Sequence, residues 1–497
     1  MIAAPEFVRP EGARLLDHLA QLGVPLADLT ADSRAVKMGS IFVAYPGTVQ
    51  DGRAFIAEAV SRGAAAVIYE RRGFEWNDRW DVPNLGVDDL RARVSEIAGH
   101  VYGNPSQSLW MAGVTGTNGK TSVSQWIAAA SDALGRRSAV VGTIGNGLVG
   151  ERVEGKNTTP DPIVLQRLLS DYLRRGARTV AMEVSSHGLD QGRVAGIKFD
   201  AAVFTNLTRD HLDYHGTMEA YARAKFRLFS ARGLRHAIVN VDDEYGARFA
   251  RELQAGPLDV ITFGTQAGAR IRAGVVRLSE AGVRFRVDSE WGSGDVDAKV
   301  LGAFNVSNLL AVLGALVAEG IAFDDAVRAV CALEPVPGRL ETLGGGEEPL
   351  VVIDYAHTPD ALEKALVALR PAVHPGHRLV CVFGCGGDRD AGKRPLMGDA
   401  AARLADHVVV TSDNPRSEDP HAIIEQIMAG MLDGEAEAIE DRQVAIFSAV
   451  HHARPGDVVL LAGKGHETYQ EIGGVRHPFS DREVAAAALA GGEAGRA

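Results

Sequence analysis

The sequence predicts an α/β protein of three domains, the central one built on a mostly parallel sheet. At 497 residues the chain is too long for one hydrophobic core, so two to four domains are expected. Short apolar segments alternate with helical segments through the central and last parts of the chain, which is typical of parallel sheets covered by helices. A proline-rich stretch at 335–338 marks one boundary. We therefore expect domains at 1–104, 105–334 and 335–497.

The predicted strands and helices follow apolar runs and glycine or proline stops. In the first domain a helix covers 14–22, and strands cover 41–45 and 64–69. Central strands are predicted at 109–112, 139–141, 179–184, 201–204 and 237–241, with a helix at 305–318. Residues 271–301 alternate apolar and charged positions, which favours half-buried antiparallel strands. The last domain has predicted strands at 350–353, 379–383, 408–410 and 458–461.

A glycine-rich turn, Gly113 to Ser122, stands between a strand and a helix. This is the context of a phosphate-binding loop, in which backbone N–H groups and the positive end of the helix face the phosphates. Lys120 would supply a mobile charge and Thr121 a hydroxyl for magnesium. The first glycine of the general nucleotide-loop pattern falls on Val114, and the alternative is an ordinary glycine turn.

Composition limits the class of protein and its partners. The net charge of −12 argues against nonspecific binding to nucleic acid. Three cysteines form no disulfide framework or zinc pattern, which fits a reducing compartment. No secretory signal is visible, and the longest apolar run, 309–318, is too short to span a bilayer. We therefore expect a cytoplasmic protein without membrane insertion.

Polar side chains follow two of the central strands, where ligands of α/β sheets bind. Glu183 ends one strand, and Asp210 and His211 follow the next. Together with the glycine-rich turn they suit magnesium and a transferring phosphoryl group. Taken singly, Glu183 could be a solvated loop residue and His211 could cap a helix. Composition alone places Lys225 on the protein surface.

The last domain has several polar loops after its strands. Arg389 lies in a glycine-rich loop, Arg416 follows Asp413-Asn414-Pro415, and Glu467 follows Gly463-Lys464-Gly465. Each loop alone could be a surface turn. Two arginines and a glutamate at one sheet edge together indicate a pocket for a zwitterionic ligand with carboxylates.

A set of motifs spread over nearly the whole chain resembles the Mur ligase family: GTNGKTS, EVSSHGL, TNLTRDHLDYHG, AKFRLF, LGAFNVSN, PGRLE and DYAHTPD. The segments DNPRSEDP and GKGHETYQ resemble the members that add meso-diaminopimelate. The resemblance implies an N-terminal domain for the UDP end of the substrate, a central P-loop ATPase and a Rossmann-like C-terminal domain for the amino acid.

The implied reaction uses ATP and Mg²⁺. ATP phosphorylates the D-glutamyl side-chain carboxylate of UDP-MurNAc-L-Ala-D-Glu, and the amine of meso-diaminopimelate then displaces phosphate. The alternatives are a folylpolyglutamate synthetase, against which the opening domain and the DNPR loop speak, and a nonenzymatic ATP-binding switch. We expect a monomer.

The resemblance also implies site residues, position by position. The ATP site comprises Gly116, Thr117, Asn118, Gly119, Lys120, Thr121, Ser122, Asn305, Arg339 and Asp354. The catalytic residues are Lys120, Glu183, His211 and Lys225, and the metal-binding ones are Thr121, Glu183, His211 and Lys225 as a carbamate. The UDP-MurNAc-dipeptide site comprises Ser33, Thr48, Val49, Gln50, Asn157, Thr158, Thr159, Ser185, Gln191 and Arg193. The diaminopimelate site comprises Arg389, Asp413, Asn414, Pro415, Arg416, Gly463 and Glu467.

Overall fold

The computed structural model describes residues 11–47, 50–155, 157–279, 281–431 and 436–491. The chain forms two compact units. One comprises the chain up to Ile271 together with Ala311–Ala322, and the other comprises Arg272–Leu310 and the chain from Phe323 onward. The three domain boundaries given above remain predictions.

The first unit opens with a small parallel sheet of four strands in the order β1-β2-β3-β4. Its elements are α1 (Glu11–Gln21), β1 (Leu29–Thr30), β2 (Ile41–Ala44), α2 (Ile56–Ser61), β3 (Ala66–Glu70), β4 (Asn84–Val87) and α3 (Leu90–Val101). The apolar residues of β2 and β3 are buried on both faces, as expected of parallel strands covered on two sides.

A larger sheet follows in the same unit. Its elements are β5 (Trp110–Thr115), α4 (Lys120–Ala133), β6 (Ser138–Gly142), β7 (Gly145–Leu148), β8 (Glu151–Val153), α5 (Pro162–Arg174), β9 (Thr179–Glu183), α6 (Ser186–Asp190), β10 (Ala201–Phe204), α7 (Leu212–His215), α8 (Met218–Phe226), β11 (His236–Asn240), α9 (Glu244–Leu253) and β12 (Asp259–Gly264). Within this unit the strand order is β12-β11-β10-β5-β9-β6-β7-β8, which is part of an eleven-stranded sheet that also includes the next three strands along the chain. Strands β12 to β6 of that order are parallel, and β7 and β8 add antiparallel pairs.

This order decides where the glycine-rich turn lies. Strand β5 pairs with β10 on one side and with β9 on the other. The loops after these three parallel strands therefore meet at the same edge of the sheet.

The second unit begins with antiparallel strands, as the alternating pattern predicted. Strands β13 (Ile271–Ser279), β14 (Gly282–Ser289) and β15 (Gly292–Ala298) are followed by α10 (Phe304–Ala318), which spans the division between the units, and α11 (Phe323–Cys331). Strands β14 and β15 pair in antiparallel register from Val283 opposite Ala298 to Ser289 opposite Gly292.

The rest of the second unit is a six-stranded sheet covered by helices. Its elements are β16 (Glu341–Gly344), β17 (Leu350–Asp354), α12 (Pro359–Leu369), β18 (Leu379–Phe383), α13 (Lys393–Leu404), β19 (His407–Val410), α14 (Pro420–Met428), β20 (Ala436–Ala438), α15 (Arg442–His452), β21 (Val458–Ala462), the hairpin β22 (Tyr469–Ile472) and β23 (Val475–Pro478), and α16 (Asp481–Leu489). The order is β16-β17-β21-β18-β19-β20, and only β16 is antiparallel to its neighbour. The predicted α/β class with mostly parallel sheets is confirmed.

Two properties of the described residues bear on the expectations drawn from composition. Within the described ranges, no helix has the length and apolar character needed to cross a bilayer. The three cysteines are free. Burial raises the pKa of the Cys381 thiol to about 12 and that of the Cys385 thiol to about 11, so both behave as inert apolar side chains.

Candidate active site

The glycine-rich turn is held in shape by the residues that follow β10. Gly116 has φ 149°, and a Cβ at this position would overlap Oγ1 of Thr205. The backbone N–H of Asn118 donates to Oδ1 of Asn206 at 2.9 Å, and Nδ2 of Asn206 donates to the Asn118 carbonyl at 3.2 Å. Helix α4 then begins at Lys120, so the N–H groups of its first turn face the loop. The geometry is that of a phosphate-binding loop.

Two lysine ammonium groups converge on the carbonyls of this loop. Nζ of Lys120 donates to Gly116 O at 3.0 Å and to Thr117 O at 2.8 Å. Nζ of Lys225, from α8, donates to Gly116 O at 2.7 Å and lies 4.4 Å from the centre of the Tyr221 ring. The loop therefore brings two lysine side chains to the position predicted for phosphates.

The expectation from composition that Lys225 lies on the surface is wrong. Only 1% of Lys225 is exposed, because α8 packs over the loop. Burial, and secondarily the charge of Lys120, lower the pKa of the Lys225 amine well below its usual range. A buried amine with a lowered pKa is more often neutral than a surface lysine, and only a neutral amine is nucleophilic.

Glu183 is buried at the end of β9, next to the first turn of α4. Its Oε2 accepts hydrogen bonds from Oγ1 of Thr121 at 3.0 Å and from Oγ1 of Thr143 at 3.1 Å. Its Oε1 accepts from the Thr143 N–H at 2.8 Å. Glu183 is thus a buried strand-end residue and not a solvated loop residue. Thr143 joins it, although no local pattern around Thr143 predicts this contact.

Magnesium prefers oxygen ligands and often uses only one or two carboxylates plus water. The adjacent oxygens of Thr121 and Glu183 fit this preference. His211 lies before α7, with Nε2 3.3 Å from Oδ2 of Asp210 and its ring 4.9 Å from that of His187. Across the described part of the chain, no three His, Cys, Asp or Glu side chains form a group suited to a metal ion. The structure therefore supports an oxygen pair, and the role of His211 stays a prediction.

The residues predicted for the dipeptide form one network beside Glu183. Oγ1 of Thr159 donates to the Glu183 carbonyl at 2.9 Å and to Oγ of Ser185 at 3.1 Å. Arg193 donates to the Thr159 carbonyl at 2.6 Å and through Nε and Nη2 to Oε1 of Gln191 at 3.0 and 2.7 Å. The structure thus brings Thr159, Ser185, Gln191 and Arg193 together.

Of the remaining residues predicted for the UDP substrate, Thr158 connects to Glu183 through Thr143, and the others make no hydrogen bond with this network within the described residues. Oγ1 of Thr158 is 3.0 Å from that of Thr143, and Asn157 is exposed. In the small first sheet, Ser33 is buried and donates to Oε2 of Glu58 at 2.8 Å. The carbonyl of Gln50 accepts from the Gly47 N–H at 2.8 Å. Thr48 and Val49 lie outside the described residues.

Of the nucleotide residues predicted in the second unit, Asn305 is buried, and Arg339 and Asp354 are half-buried. Nδ2 of Asn305 donates to the Leu301 carbonyl at 2.7 Å. Asp354 ends β17 and accepts from the Leu340 N–H at 2.9 Å; burial raises the pKa of its carboxyl, and Arg339 opposes that shift. The Arg339 guanidinium lies 5.1 Å from the centre of the Tyr355 ring. Burial lowers the pKa of neighbouring His466 to about 4, so this imidazole is neutral at pH 7.

The loops predicted for the amino acid meet at the carboxyl edge of the six-stranded sheet. Nδ2 of Asn414 donates to Oε2 of Glu467 at 2.8 Å. Arg416 has φ 53°, its N–H donates to the Glu471 carbonyl at 2.9 Å, and its Nη1 donates to the Gly387 carbonyl at 2.6 Å. The hairpin β22–β23 therefore holds the Asp413-Asn414-Pro415-Arg416 loop in place.

Glycines in the neighbouring loops allow close packing against Arg416 and Asp413. Arg389 is exposed on the glycine turn that also contacts Arg416, and a Cβ on Gly386 would lie 2.8 Å from Nη1 of Arg416. A Cβ on Gly463 would lie 3.4 Å from Oδ2 of Asp413. Burial raises the pKa of the Asp413 carboxyl. The predicted residues thus share one edge of the sheet. The negative charges of its carboxylates require a nearby cation.

Sequence reasoning missed two buried cations beneath these loops. Lys464 is fully buried next to Asp413, Asn414 and Glu467. Arg442 forms a fully buried two-bond pair with Asp481, at 2.7 Å for each bond, and also donates to the Ala462 carbonyl at 3.0 Å. The sequence Gly463-Lys464-Gly465 at a strand end could have indicated that Lys464 turns into the site. Nothing local marks Arg442.

Family models match most of the chain. The Mur ligase middle domain matches residues 114–316, the glutamate ligase domain of Mur ligases matches 338–465, and the catalytic domain of the Mur ligase family matches 26–102. The chain belongs to the Mur ligase family. Mur ligases are ATP-dependent amide ligases, so this chain is a ligase.

Individual Mur ligases resemble it along almost their full length. The UDP-N-acetylmuramoyl-L-alanyl-D-glutamate–2,6-diaminopimelate ligase of Chromobacterium violaceum is 52% identical over 472 residues, covering 95% of this chain and 96% of the relative. The ligase of the same name from Pseudomonas aeruginosa is 53% identical over 476 residues, covering 95% and 97%.

Solved structures agree with this membership. A structure of a UDP-N-acetylmuramoyl-L-alanyl-D-glutamate–2,6-diaminopimelate ligase superposes with a TM-score of 0.70 at 41% identity, covering 94% of this chain and 95% of that one. The MurF ligase of Thermotoga maritima in complex with ADP has a TM-score of 0.63 at 20% identity, covering 89% and 94%, and shares the fold.

Proposed function

We propose that this chain is the Mur ligase that joins meso-2,6-diaminopimelate to the D-glutamyl residue of UDP-N-acetylmuramoyl-L-alanyl-D-glutamate, a step of peptidoglycan precursor synthesis. The observation that carries the proposal is the edge where Arg416 and Glu467 flank Asn414. A guanidinium and a carboxylate there match an amino acid whose distal end carries both a carboxylate and an ammonium. The high identity to ligases with this name supports the same substrate.

The reaction begins by activating a carboxylate. An amine cannot form an amide with a carboxylate directly, because the carboxylate oxygen is a very poor leaving group. ATP transfers its terminal phosphoryl group to the D-glutamyl carboxylate, which gives an acyl phosphate and ADP. The amine of diaminopimelate attacks the acyl carbon, a proton leaves the nitrogen, and phosphate departs as the amide forms. In this scheme the loop Gly116–Ser122 binds the phosphates of ATP through its N–H groups, and Lys120 places positive charge on the group in transfer.

Thr121 and Glu183 would hold Mg²⁺, which would neutralise phosphate charge when bound. Lys225 is proposed to act as a carbamate, formed when the neutral amine attacks the carbon of CO₂ and loses a proton. The low pKa that burial gives this amine favours the reacting form at neutral pH. Asn305, Arg339 and Asp354 are proposed to contact the nucleotide, and the network of Thr159, Ser185, Gln191 and Arg193 the dipeptide. Monomeric state and cytoplasmic location remain predictions.

Phosphate release from ATP tests the proposal. The assay combines the purified protein with UDP-muramoyl dipeptide and one amine at a time: meso-diaminopimelate, L-lysine or L-glutamate. We expect release only when both the dipeptide and meso-diaminopimelate are present. Release with a folate and glutamate would indicate a folylpolyglutamate synthetase, and ATP binding without amine-dependent release would indicate a switch module. Either result contradicts the proposal.

A further inference from the structure

Lys464 occupies an unusual place at the end of β21. It lies between Gly463 and Gly465, whose φ values of 115° and 52° fall in the region that favours glycine. A Cβ on Gly465 would lie 2.8 Å from Cβ of Tyr355. These two glycines let the backbone turn so that the lysine side chain points inward, and it is fully buried.

The Lys464 ammonium contacts three residues of the proposed amino-acid site. Nζ donates to Oδ1 of Asn414 at 3.1 Å and to Oε2 of Glu467 at 3.2 Å, and it lies 3.7 Å from Oδ1 of Asp413. Asn414 and Asp413 lie about fifty residues earlier in the chain, so the ammonium connects two strand-end loops. A fully buried lysine usually has its charge paired, as Lys464 does with Glu467 and Asp413.

These contacts hold one of the two oxygens of the Glu467 carboxylate. Oε2 accepts from both Nδ2 of Asn414, at 2.8 Å, and Nζ of Lys464. Oε1 makes no hydrogen bond with any residue in the described part of the chain. The carboxylate is therefore oriented through one oxygen, and the other remains able to accept from a ligand.

The same ammonium balances charge. Oδ1 of Asp413 and Oε2 of Glu467 lie 3.7 and 3.2 Å from the Lys464 ammonium, and the charge of Glu467 adds to the rise that burial causes in the Asp413 pKa. Lys464 is the largest influence that opposes the rise in the Asp413 pKa. Without it, the edge would carry uncompensated negative charge in a buried site.

We propose that Lys464 is a positioning residue for recognition of the incoming diamino acid. Its ammonium orients Glu467 and Asn414, so that the second oxygen of Glu467 receives the distal ammonium of the substrate. The inference rests on the proposed function, because it assigns Glu467 to that amino acid. A role in charge balance alone would affect stability and leave the affinity for the amino acid unchanged.

Steady-state kinetics of Lys464→Met and Lys464→Gln separate these roles. Methionine keeps the length of the side chain without a charge, and glutamine keeps one N–H donor. We expect the KM for meso-diaminopimelate to rise by about tenfold or more in Lys464→Met, because Glu467 loses the charge-assisted hydrogen bond that orients it. The rise should be smaller in Lys464→Gln. The KM for ATP, the KM for the UDP substrate and kcat at saturating amino acid should stay near the native values.

Two controls complete the test. Lys364→Met changes an exposed lysine of α12 that pairs with Asp360 at 2.7 Å, and it should leave every constant unchanged. In a Glu467→Gln background, Lys464→Met should add little to the KM for diaminopimelate, because the lysine acts through Glu467. Additive effects in this double-mutant cycle would contradict the proposed route.

The possible failures are distinguishable. If the native protein shows no diaminopimelate-dependent phosphate release, the proposed function itself is wrong. If the native protein is active and both variants keep the native KM for the amino acid, only the role of Lys464 is wrong. Failure of both variants to fold, shown by circular dichroism, would assign Lys464 to stability and would also overturn the inference.

Discussion

Lys225 and Lys464 are both buried lysines, but their surroundings differ. Lys225 has a backbone carbonyl and an aromatic ring for neighbours, and the charge of Lys120 acts on it as well. Lys464 lies against two carboxylates and an amide. Burial lowers the pKa of the Lys225 amine, whereas the Lys464 ammonium forms ion-pair contacts with Glu467 and Asp413. The two buried lysines are therefore suited to different roles.

Replacing Lys120 tests the phosphate loop. Lys120→Ala removes the mobile positive charge from the phosphates in transfer, so we expect kcat to fall by roughly 10²-fold or more. Phosphate release under saturating substrates measures the effect, and Lys364→Ala serves as the surface control. A folded Lys120→Ala protein with substantial turnover would contradict the assigned loop.

The protein should be active only when Lys225 is carbamylated. Lys225→Ala should be nearly inactive, and a short carboxylic acid should restore part of the activity by placing an anion where the carbamate lies. Because the lowered pKa makes the amine neutral at a lower pH than in a surface lysine, native protein freed of CO₂ should regain activity when bicarbonate is added at about pH 7–8. An unmodified Lys225 in fully active protein, shown by intact mass, would disprove this role.

Arg416 should select diaminopimelate over L-lysine, which lacks the distal carboxylate. Its Nη1 is held by the Gly387 carbonyl, while Nη2 makes no hydrogen bond within the described residues and can bind that carboxylate. Lysine would leave Nη2 desolvated without a carboxylate partner, although Nε stays 3.8 Å from Oε2 of Glu471.

Arg416→Ala should therefore lower kcat/KM for diaminopimelate by a factor equivalent to about 2–5 kcal/mol, with ATP and UDP-substrate binding near normal. Arg403→Ala, an exposed arginine of α13, is the matched control. Equal native efficiency with lysine, or an unchanged preference in Arg416→Ala, would refute the role.

At the scale of elements, the strand order determines which loops meet. Strand β5 lies between β9 and β10, so the glycine-rich turn lies next to Glu183 and next to the Thr205-Asn206 segment. Strand β21 lies between β17 and β18, so the loop with Lys464 lies between those that carry Asp354 and Arg389. In both sheets the site is built from residues one strand apart in space and far apart in the chain.

Gly116 should be essential to the shape of its turn. Gly116→Ala would place a Cβ against Thr205 and force a φ that alanine rarely adopts, at a cost of about 1–3 kcal/mol. We expect a weaker affinity for ATP, measured by calorimetry, and a lower free energy of unfolding in urea. Gly256→Ala is the control, because its Cβ would meet only Leu253 O at 3.4 Å. Native ATP affinity in Gly116→Ala would contradict this account.

At the scale of the whole molecule, the chain leaves the first unit after Ile271 and returns to it at Ala311–Ala322. Glu319 attaches the segment Ala311–Ala322 to the rest of the first unit. Its buried carboxylate accepts from Oγ of Ser131 at 2.7 Å and from Thr179, and it pairs with Arg136 at 3.2 Å. The returning segment is thereby fixed to α4 and to the start of β9.

Glu319→Ala should destabilise the first unit by about 3 kcal/mol, because buried hydroxyls and Arg136 lose their common acceptor. Urea unfolding monitored by tryptophan fluorescence measures the change. Glu252→Ala, which removes an exposed carboxylate of α9, should shift the free energy of unfolding by less than about 0.5 kcal/mol. Equal effects of the two substitutions would show that Glu319 does not anchor the segment.

The sequence alone predicted most of the buried parallel strands, their alternation with helices and the glycine-rich turn, but not short strands such as β1, β4, β7 and β8. Each of these predictions depends on residues that are neighbours in the chain: apolar runs, helix periodicity, and glycines that permit unusual φ values. The motifs that resemble the Mur ligase family also identify Glu183, Lys225 and Glu467 as candidate site residues. The rule that strand ends carry ligand sites placed the loops with Arg389, Arg416 and Glu467 at one sheet edge.

Only the tertiary structure decided which polar residues are buried and with which partners. Lys225 reaches a carbonyl 109 residues away, and Lys464 reaches an amide 50 residues away. Thr143 meets Glu183, and Arg442 meets Asp481, across similar gaps of 40 and 39 residues. No local pattern encodes such pairs, because burial depends on how distant segments pack, and packing sets both the pKa and the partner of a charged group.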